Sequence, residues 1–445
     1  MDGTEPEDWP GVLHREGRTL CRLARDPSES GTGPAAKGQG DVFHNPAMSG
    51  SRTRSVLLLQ HCIEEGLLGN GSIYALDGLS ATGLRARRWL NELPAQSATR
   101  ISATMGDMDP VALGWAMRCH DEFPPEHGEG ELLPHLGDLR KSVLEHGRHW
   151  VDIDPYGSPL PFLDTAIQSL ARRGVAEISA TDSAALTGSS KNALLRRYGA
   201  RVRTDGLAHD SGLRVLLATV ARTAARHERS IEPLLSIWES HHLRVSVRVL
   251  RSIERANDVE DSIGWRVASP TAEEVSSSIE SGLQPETSVD SLPMHCFLPL
   301  SHPVNRSDKR ISGPMWIGPV GQTEAMASMT EERALELCGP SATEDDPVGW
   351  SERDFEYERR KVVRSVRHIS EEAGVIDAPH LILVDKLASW LGSGSPASPN
   401  GMAEILRDAG YRAAVARYGK PAFRTDAPWN EIVSASISWR GASNG

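Results

Sequence analysis

SIYALDGLSATGLRARRWLNEL, residues 72–93, decides the fold class. Residues 72–77 are a short apolar run ending on an acid, which predicts a buried strand closing at Asp77. Gly78 and Gly83 follow. Glycine lets the chain turn tightly and lets a ligand approach the backbone. Residues 83–93 then carry a helix-compatible pattern. The loop has G-x-x-x-x-G spacing but lacks the Lys-Ser/Thr of a P-loop, and it has no G-x-G-x-x-G. Nucleoside triphosphate and NAD readings both weaken on that account.

The alternation repeats downstream. ISATMGD (101–107) predicts a second strand, and PVALGWAMRCH (110–120) a helix with proline in its first turn. ELLPHLGD (131–138) and HWVDID (149–154) predict the third and fourth strands. LPFLDTAIQSLARR (160–173) predicts a helix, and GVAEISATD (174–182) a fifth strand. Strands alternating with helices at this spacing imply a mostly parallel, doubly wound α/β sheet. Such sheets bind ligands beyond the carboxyl ends of their strands. Upstream, residues 54–68 have helical apolar spacing. Downstream, 213–227 predicts an amphipathic helix, and 241–250 alternates like a half-buried strand. Residues 268–292, rich in Ser, Glu, Thr and Pro, read as a loop or linker. Residues 331–373 are charged and helical, and 381–391 with 401–411 suggest a last α/β portion. No internal repeat is visible.

At 445 residues the chain has length for two domains. With 39% hydrophobic and 24% charged residues it suits a water-soluble globular protein. No apolar run reaches the roughly 18 residues of a membrane span, and the acidic start MDGTEPEDWPG lacks the layout of a signal peptide. The five cysteines (21, 62, 119, 296 and 338) form no C-x-x-C pair. A reducing cytoplasm is therefore the expectation, with no disulfide framework and no closed cysteine zinc site. Net charge is −12, but residues 191–251 hold twelve Lys and Arg against five acids. A basic stripe in an acidic protein is a plausible phosphate-backbone footprint; the alternative is a solvated arginine-rich helix face.

Four predicted strand ends carry acids: Asp77, Asp107, Asp138 and Asp154. Asp107 is placed to accept from two ribose hydroxyls, and Asp138 could accept from an adenine amine. So many carboxylates would repel phosphates and attract a sulfonium. S-adenosylmethionine is the cofactor with that charge pattern. The competing reading is that acids at strand ends cap the next helix, which suits Asp109 before Pro110. The fourth acid lies in DIDPYGSP, 152–159. A carboxylate and carbonyls at that corner can accept hydrogen bonds from an exocyclic amine, although Asp-Pro also closes strands for purely local reasons.

At this point the chain resembles a known family, the tRNA guanine-26 N2-dimethyltransferases (the Trm1 family). The matching stretches are VFHNPAMSGSRTRSV (42–56), LDGLSATGLR (76–85), DIDPYGSPLPFLDTAIQSL (152–170), ATDSAALTGSS (180–190), 196–237, HHLRVSVRV (241–249), SGPMWIGPV (312–320) and FRTDAPW (423–429). The resemblance implies a class I S-adenosylmethionine-dependent methyltransferase fold, Rossmann-like, with a C-terminal α/β domain. It implies methylation of the exocyclic N2 of guanosine 26 in tRNA, once or twice. Cofactor binding falls to Phe43, Arg52, Asp77, Gly78, Asp107 and Asp138, with Arg52 holding the methionine carboxylate through its bidentate fork. Asp154 matches the catalytic aspartate of a D-P-F-G motif. Pro155, Tyr156, Thr181 and Asp182 fall on the substrate side, with Arg222 and Arg226 on an outer helix face that could touch tRNA.

Departures from the family pattern matter too. Ser51-Arg52-Thr53 stands where Asn-Arg-Asp is usual, so the support of Arg52 differs. Of the paired cysteines many members carry, only Cys296 remains, and no structural zinc is expected; the chain is expected to be a zinc-less, archaeal-type member. AAVARYGKPAF (413–423) lacks the usual histidine. The expected organisation is an N-terminal extension (1–40), the methyltransferase domain (41–252), a linker or insertion in place of the zinc region (253–311) and a C-terminal domain (312–445) that binds tRNA. The expected protein is a cytoplasmic monomer acting on tRNA, with no membrane and no metal. The rival functions are another amino-methyltransferase, acting on adenine N6 or a protein amide, and a non-catalytic tRNA-binding protein.

Overall fold

The computed structural model describes residues 8–25, 42–126, 130–287, 291–343, 345–392 and 397–443. In chain order these begin with a hairpin of β1 (Val12–Glu16) and β2 (Thr19–Leu23), followed by helix α1 (Ser49–Glu64). Then come β3 (Ile73–Asp77), α2 (Leu84–Glu92), β4 (Ile101–Asp107), α3 (Pro110–Glu122), β5 (Glu131–Leu136) and α4 (Leu139–Glu145). The series closes with β6 (Arg148–Ile153), α5 (Leu160–Ser169), β7 (Leu170–Ala180), α6 (Lys191–Tyr198), α7 (Ala208–Arg226), β8 (Arg229–Glu239) and β9 (His242–Arg251).

Strands β3–β9 form one sheet in the order β5-β4-β3-β6-β7-β9-β8. The first five pair in parallel, and β8 runs antiparallel to β9. This is the doubly wound α/β architecture expected from the sequence. The order reverses at β3, which has β4 on one side and β6 on the other, so the β3/β6 crevice is the switch point where such sheets bind ligands. Register brings the acids to that end: Asp77 lies opposite Asp152, and Asp107 opposite Leu136.

The chain divides into two compact units, one of Met1–Pro155, Pro161–Ile178 and Ser328–Arg367, the other of Tyr156–Leu160, Ser179–Ala327 and His368–Gly445. In the first unit, Cys21 and Leu23 of the hairpin share a core cluster with Leu84, Ala112, Trp115 and Cys119. Trp9 meets the Trp115 ring edge-on at 5.1 Å, and Trp115 Nε1 donates to the Arg22 carbonyl at 2.7 Å. Residues 8–25 of the expected extension are thus part of a packed core, while 1–7 and 26–40 lie outside the described residues. Helix α1 begins earlier than expected, at Ser49, because Asn45 caps a one-turn 3-10 helix over Pro46–Met48 that leads into it. Helix α5 stops at Ser169, since Leu170 already pairs with Arg148 of the neighbouring strand.

In the second unit the sequence reading missed β8, whose run is interrupted by Pro233. Proline in a strand belongs on an edge or at a bulge. β8 is the sheet's edge strand, and its register shifts between Pro233 and Leu235. The stretch 253–311, expected as linker or insertion, is largely regular. It carries β10 (Ile263–Ala268), α8 (Ala272–Glu280) and β11 (His295–Pro299), and β12 (Ile311–Trp316) follows. β10, β11 and β12 make a three-stranded antiparallel sheet. Composition hid α8, yet its start is a capping box: Thr271 and Glu274 satisfy each other's backbone N–H. A last small sheet joins β13 (His380–Leu383), β14 (Ala413–Val415) and β15 (Ala422–Thr425). It shares a core with Met402, Leu406, Trp429 and Ile432.

Candidate active site

The loop after β3 is built by backbone geometry. Gly78 N donates to the Asp152 carbonyl at 3.1 Å, and a Cβ on Gly78 would meet that oxygen at 2.8 Å. Gly83, with φ +66°, is the residue before α2, and its Cβ would strike Met105 Sδ at 2.4 Å. Between them Ser80 N bonds the Gly106 carbonyl at 3.0 Å, and Ala81 N donates to Asp107 Oδ2 at 2.9 Å. The glycines are therefore required by the close approach of β3, β4 and β6 at their carboxyl ends.

The acids take distinct positions. Asp77 is buried, and its carboxylate accepts from Ala86 N in the first turn of α2 at 3.3 Å. Asp107 holds the loop through Oδ2 and accepts from Asp109 N through Oδ1 at 3.0 Å. Each carboxylate oxygen has two acceptor sites, so capacity remains for hydroxyl donors. Asp138 caps α4, accepting from Arg140 N at 2.9 Å and from Arg140 Nε at 3.0 Å. The side-chain and backbone bonds of Arg140 hold its carboxyl down to about 2. For Asp138 and Asp109 the helix-cap reading is realised. Met108 and Leu136, just beyond β4 and at the end of β5, are 71% and 55% exposed. They leave apolar surface at the strand ends that the sequence reading did not single out.

Asp154 follows β6. Arg85 of α2 reaches both acids of the motif: Nη2 lies 2.8 Å from Asp154 Oδ2, and Nε lies 3.4 Å from the fully buried Asp152. Arg85 was missed as a site residue. The available signal was its place two residues after Gly83 in LDGLSATGLR.

Arg52 does not stand ready for a ligand. Its Nε and Nη2 both donate to Glu16 at 2.6 Å, and Nη2 donates to the Asn45 carbonyl at 3.0 Å. Arg88 adds a bond to Glu16 at 2.9 Å and pairs with Glu92 at 2.7 Å. Burial would raise the Glu16 carboxyl, but Arg52 and Arg88 outweigh it and hold it well below the ordinary carboxylate range. Phe43 is half-buried, just after Val42 of the hairpin core.

In the second unit the turn after Pro155 is clamped. Gly157 N donates to Thr181 Oγ1 at 2.6 Å, and Thr181 N donates back to the Gly157 carbonyl at 2.9 Å. Ser158 and Tyr198 hydroxyls meet at 2.9 Å, and the Tyr198 hydroxyl donates to Asp182 at 3.0 Å. Arg197 pairs with Asp182 at 3.1 Å. Thr181 and Asp182 therefore hold the turn, while Tyr156 at its tip is 68% exposed. Arg222 is matched bidentately by Glu260 at 2.8 and 2.9 Å, and Arg226 Nη2 donates to Thr223 Oγ1 at 3.2 Å.

Among the described residues no three His, Cys, Asp or Glu side chains are placed to hold a metal ion. Cys296 is buried in β11, and burial pushes its thiol up to about 12. No helix among the described residues is long and apolar enough to cross a membrane.

The profile of the family "N2,N2-dimethylguanosine tRNA methyltransferase" matches residues 28–436. A tRNA (guanine(26)-N(2))-dimethyltransferase of Aeropyrum pernix is 29% identical over 436 residues, covering 96% of each chain. That of Thermococcus kodakarensis is 28% identical over 406 residues, covering 88% of this chain and 92% of its own. The solved structure of Trm1 from Pyrococcus horikoshii with S-adenosyl-L-methionine matches with a TM-score of 0.70 at 22% identity, covering 95% of this chain and 99% of that one. That likeness shows the fold, and the profile shows the kinship: the chain belongs to the N2,N2-dimethylguanosine tRNA methyltransferase family.

Proposed function

We propose that the protein methylates the exocyclic N2 of guanosine 26 in tRNA from S-adenosyl-L-methionine, adding one methyl group and then a second. The observation that carries the residue assignment is Asp154, which follows β6 at the switch point of the sheet with the Arg85 guanidinium 2.8 Å away. The residues at the strand ends fit the cofactor. Gly78 lets the loop backbone lie against the end of β6, Asp107 offers acceptors for ribose hydroxyls, and Met108 and Leu136 offer apolar surface to a purine ring. Asp77, Asp107 and Asp152 make the region attractive to a positive centre and poor for a phosphate. When bound, the cofactor supplies an electrophilic methyl group on a sulfonium.

The chain's own task is to make a weak nucleophile attack. The N2 lone pair of guanine is delocalised into the ring. Asp154 accepts a hydrogen bond from N2–H, localises that lone pair, and takes the proton released as the new N–C bond forms. Arg85 fixes the carboxylate so that little is spent on orienting it. Tyr156, exposed at the tip of its turn, offers a ring on which an unstacked base can lie, repaying part of the few kcal/mol that unstacking costs. Thr181 and Asp182 act on Tyr156 by holding its turn. Arg52 would have to exchange Glu16 before it could grip a methionine carboxylate, so its place in this scheme is to anchor the N-terminal hairpin. The protein works as a cytoplasmic monomer on tRNA. Incubation with radiolabelled S-adenosylmethionine and unmodified tRNA, followed by digestion, tests the proposal. Label is expected in N2-methylguanosine and N2,N2-dimethylguanosine; label in adenosine, or none, overturns it.

A further inference from the structure

The basic stripe of residues 191–251 does not survive folding as a single surface. Arg214 is buried on Asp210, and Arg222, Arg248 and Arg251 face Glu260, Glu232 and Glu228. A cation matched by a carboxylate has less to offer a phosphate. The opposite holds at the stripe's beginning. Helix α6 ends at Tyr198, Gly199 caps it with φ +63°, and the chain then runs beside residues 306–313, of which 306–311 fall in the stretch expected as linker or insertion. Arg201 N donates to the Gly313 carbonyl at 2.9 Å, and Gly313 N donates back at 2.7 Å. Arg203 N donates to Ser312 Oγ at 2.9 Å. Arg201 Nη1 reaches the Arg306 carbonyl at 3.2 Å, and Arg203 Nη1 the Lys309 carbonyl at 3.5 Å.

The second unit thus gathers Arg201, Arg203, Arg306 and Lys309, all exposed, from two stretches about a hundred residues apart. The acids nearby are already committed. Asp308 and Glu274 pair with Arg310, and Asp205 pairs with the buried Arg266 as well as with Arg203. Among the described residues Arg201, Arg306 and Lys309 have no carboxylate partner. Reciprocal backbone bonds between Arg201 and Gly313 tie the two stretches together, so less entropy is lost when these cations meet a ligand. Arg306 also lies over the Trp265 ring, its Cζ 5.6 Å from the centroid. The cluster is coupled to the substrate turn through one helix, since Tyr198 and Arg197 of α6 hold Asp182.

We propose that Arg201, Arg306 and Lys309 form a phosphate clamp for the tRNA backbone. This rests on the methyltransferase reading above. Arg201, Arg306 and Lys309, unpaired with carboxylates among the described residues and brought together by the Arg201–Gly313 bridge, fit a polyanion, whereas a folded acidic protein would have to bring several carboxylates into the spacing of successive phosphates. Each cation that meets a phosphate releases counterions, so affinity depends on salt.

The test compares the wild type with Arg201→Gln/Arg306→Gln/Lys309→Gln and with Arg251→Gln, all as full chains. The readouts are tRNA binding by fluorescence anisotropy across a salt series, cofactor binding by calorimetry, and initial rates of methylation. The triple variant is expected to bind tRNA at least about tenfold more weakly, with a log–log salt slope reduced by roughly 3. Its KM for tRNA rises while cofactor affinity stays the same. Arg251→Gln, at a paired position, leaves tRNA binding within about twofold. An unchanged salt slope in a triple variant that still binds cofactor overturns the clamp, and so does a larger loss in Arg251→Gln. If the wild type binds tRNA with the expected salt slope and loses it in the triple variant, but transfers no methyl, the clamp stands and the enzymatic reading falls. If it methylates guanosine and the triple variant does so with unchanged KM, the clamp alone falls.

Discussion

Arg85 ties together the two acids of the DIDP motif, with Nη2 2.8 Å from Asp154 Oδ2 and Nε 3.4 Å from Asp152 Oδ1. Asp152 is wholly buried and Asp154 is 18% exposed on its side chain, so one acid anchors the guanidinium in the interior while the other keeps an open edge, which our scheme gives to the target amine. Asp154→Ala is therefore expected to lower kcat by about 10²–10⁴-fold, the usual worth of a positioned acceptor and base. Cofactor affinity should stay within about twofold, because in our scheme the ribose is held by Asp107 at the end of β4. Arg85→Lys should also lower kcat, since an ammonium on a flexible stem cannot span two carboxylates as a planar fork does. Single-turnover rates with saturating tRNA measure both, and near-normal transfer by Asp154→Ala would sink the assignment.

Asp107 should behave in the opposite way. Its carboxylate supports the glycine loop through Ala81 N, and in our scheme it accepts from the ribose. Asp107→Ala removes both, and the expected result is cofactor binding weakened by about tenfold or more, in line with losing a charge-assisted hydrogen bond. At saturating cofactor much of kcat should return. Calorimetric titration with S-adenosylmethionine decides this, and unchanged affinity would remove the ribose role.

Gly78 admits nothing larger. A Cβ there would lie 2.5 Å from Leu139 Cδ1 and 2.8 Å from the Asp152 carbonyl, and the second atom is backbone that cannot step aside. Gly78→Ala should push the loop away from β6, lose measurable cofactor binding, and lower stability by about 1–3 kcal/mol, the usual cost of overpacking. Gly114→Ala is the control, since a Cβ there meets nothing within 4 Å. Urea midpoints of the two variants should differ clearly, and equal midpoints would contradict the close approach.

What could be read in the chain beforehand follows physical range. Asp77 and Asp107 were visible because strand length and a terminal acid are local features, and parallel register then aligns the ends. Arg85 lay in a stretch already marked, but its choice of Asp152 and Asp154 depends on how α2 packs beside β6. The capture of Arg52 by Glu16, 36 positions away, carries no local signal at all. Pro233 hid β8 because proline argues against a strand until the strand is known to be an edge. Composition hid α8 although Thr271 and Glu274 spelled out a capping box. The expected linker also concealed Arg306 and Lys309, which matter only once a bridge to Gly313 sets them beside Arg201.

Stability should fall well before ordinary carboxylates titrate. Three histidines, His295 and His380 buried and His44 half-buried, are held neutral. Burial, aided by Arg52, lowers His44 to about 3; burial lowers His380 to about 4; and burial with nearby Arg266 lowers His295 well below its usual value. In the unfolded chain each titrates near 6.5. Between 6.5 and the folded value the unfolded state binds more protons, so stability declines as pH falls, by up to about 1.4 kcal/mol per pH unit for each histidine. Glu16, held low by Arg52 and Arg88, contributes stability that is complete above about 4.3 and is lost only as pH falls further, through its folded value. The acid decline above pH 5 is thus assigned to the histidines. Urea midpoints measured from about pH 7 to 5 should drop steadily in the wild type. In His380→Gln the drop should be shallower by the share of one histidine, even if the variant is less stable at pH 7. Parallel curves for the two proteins would show that His380 is not held neutral by its burial.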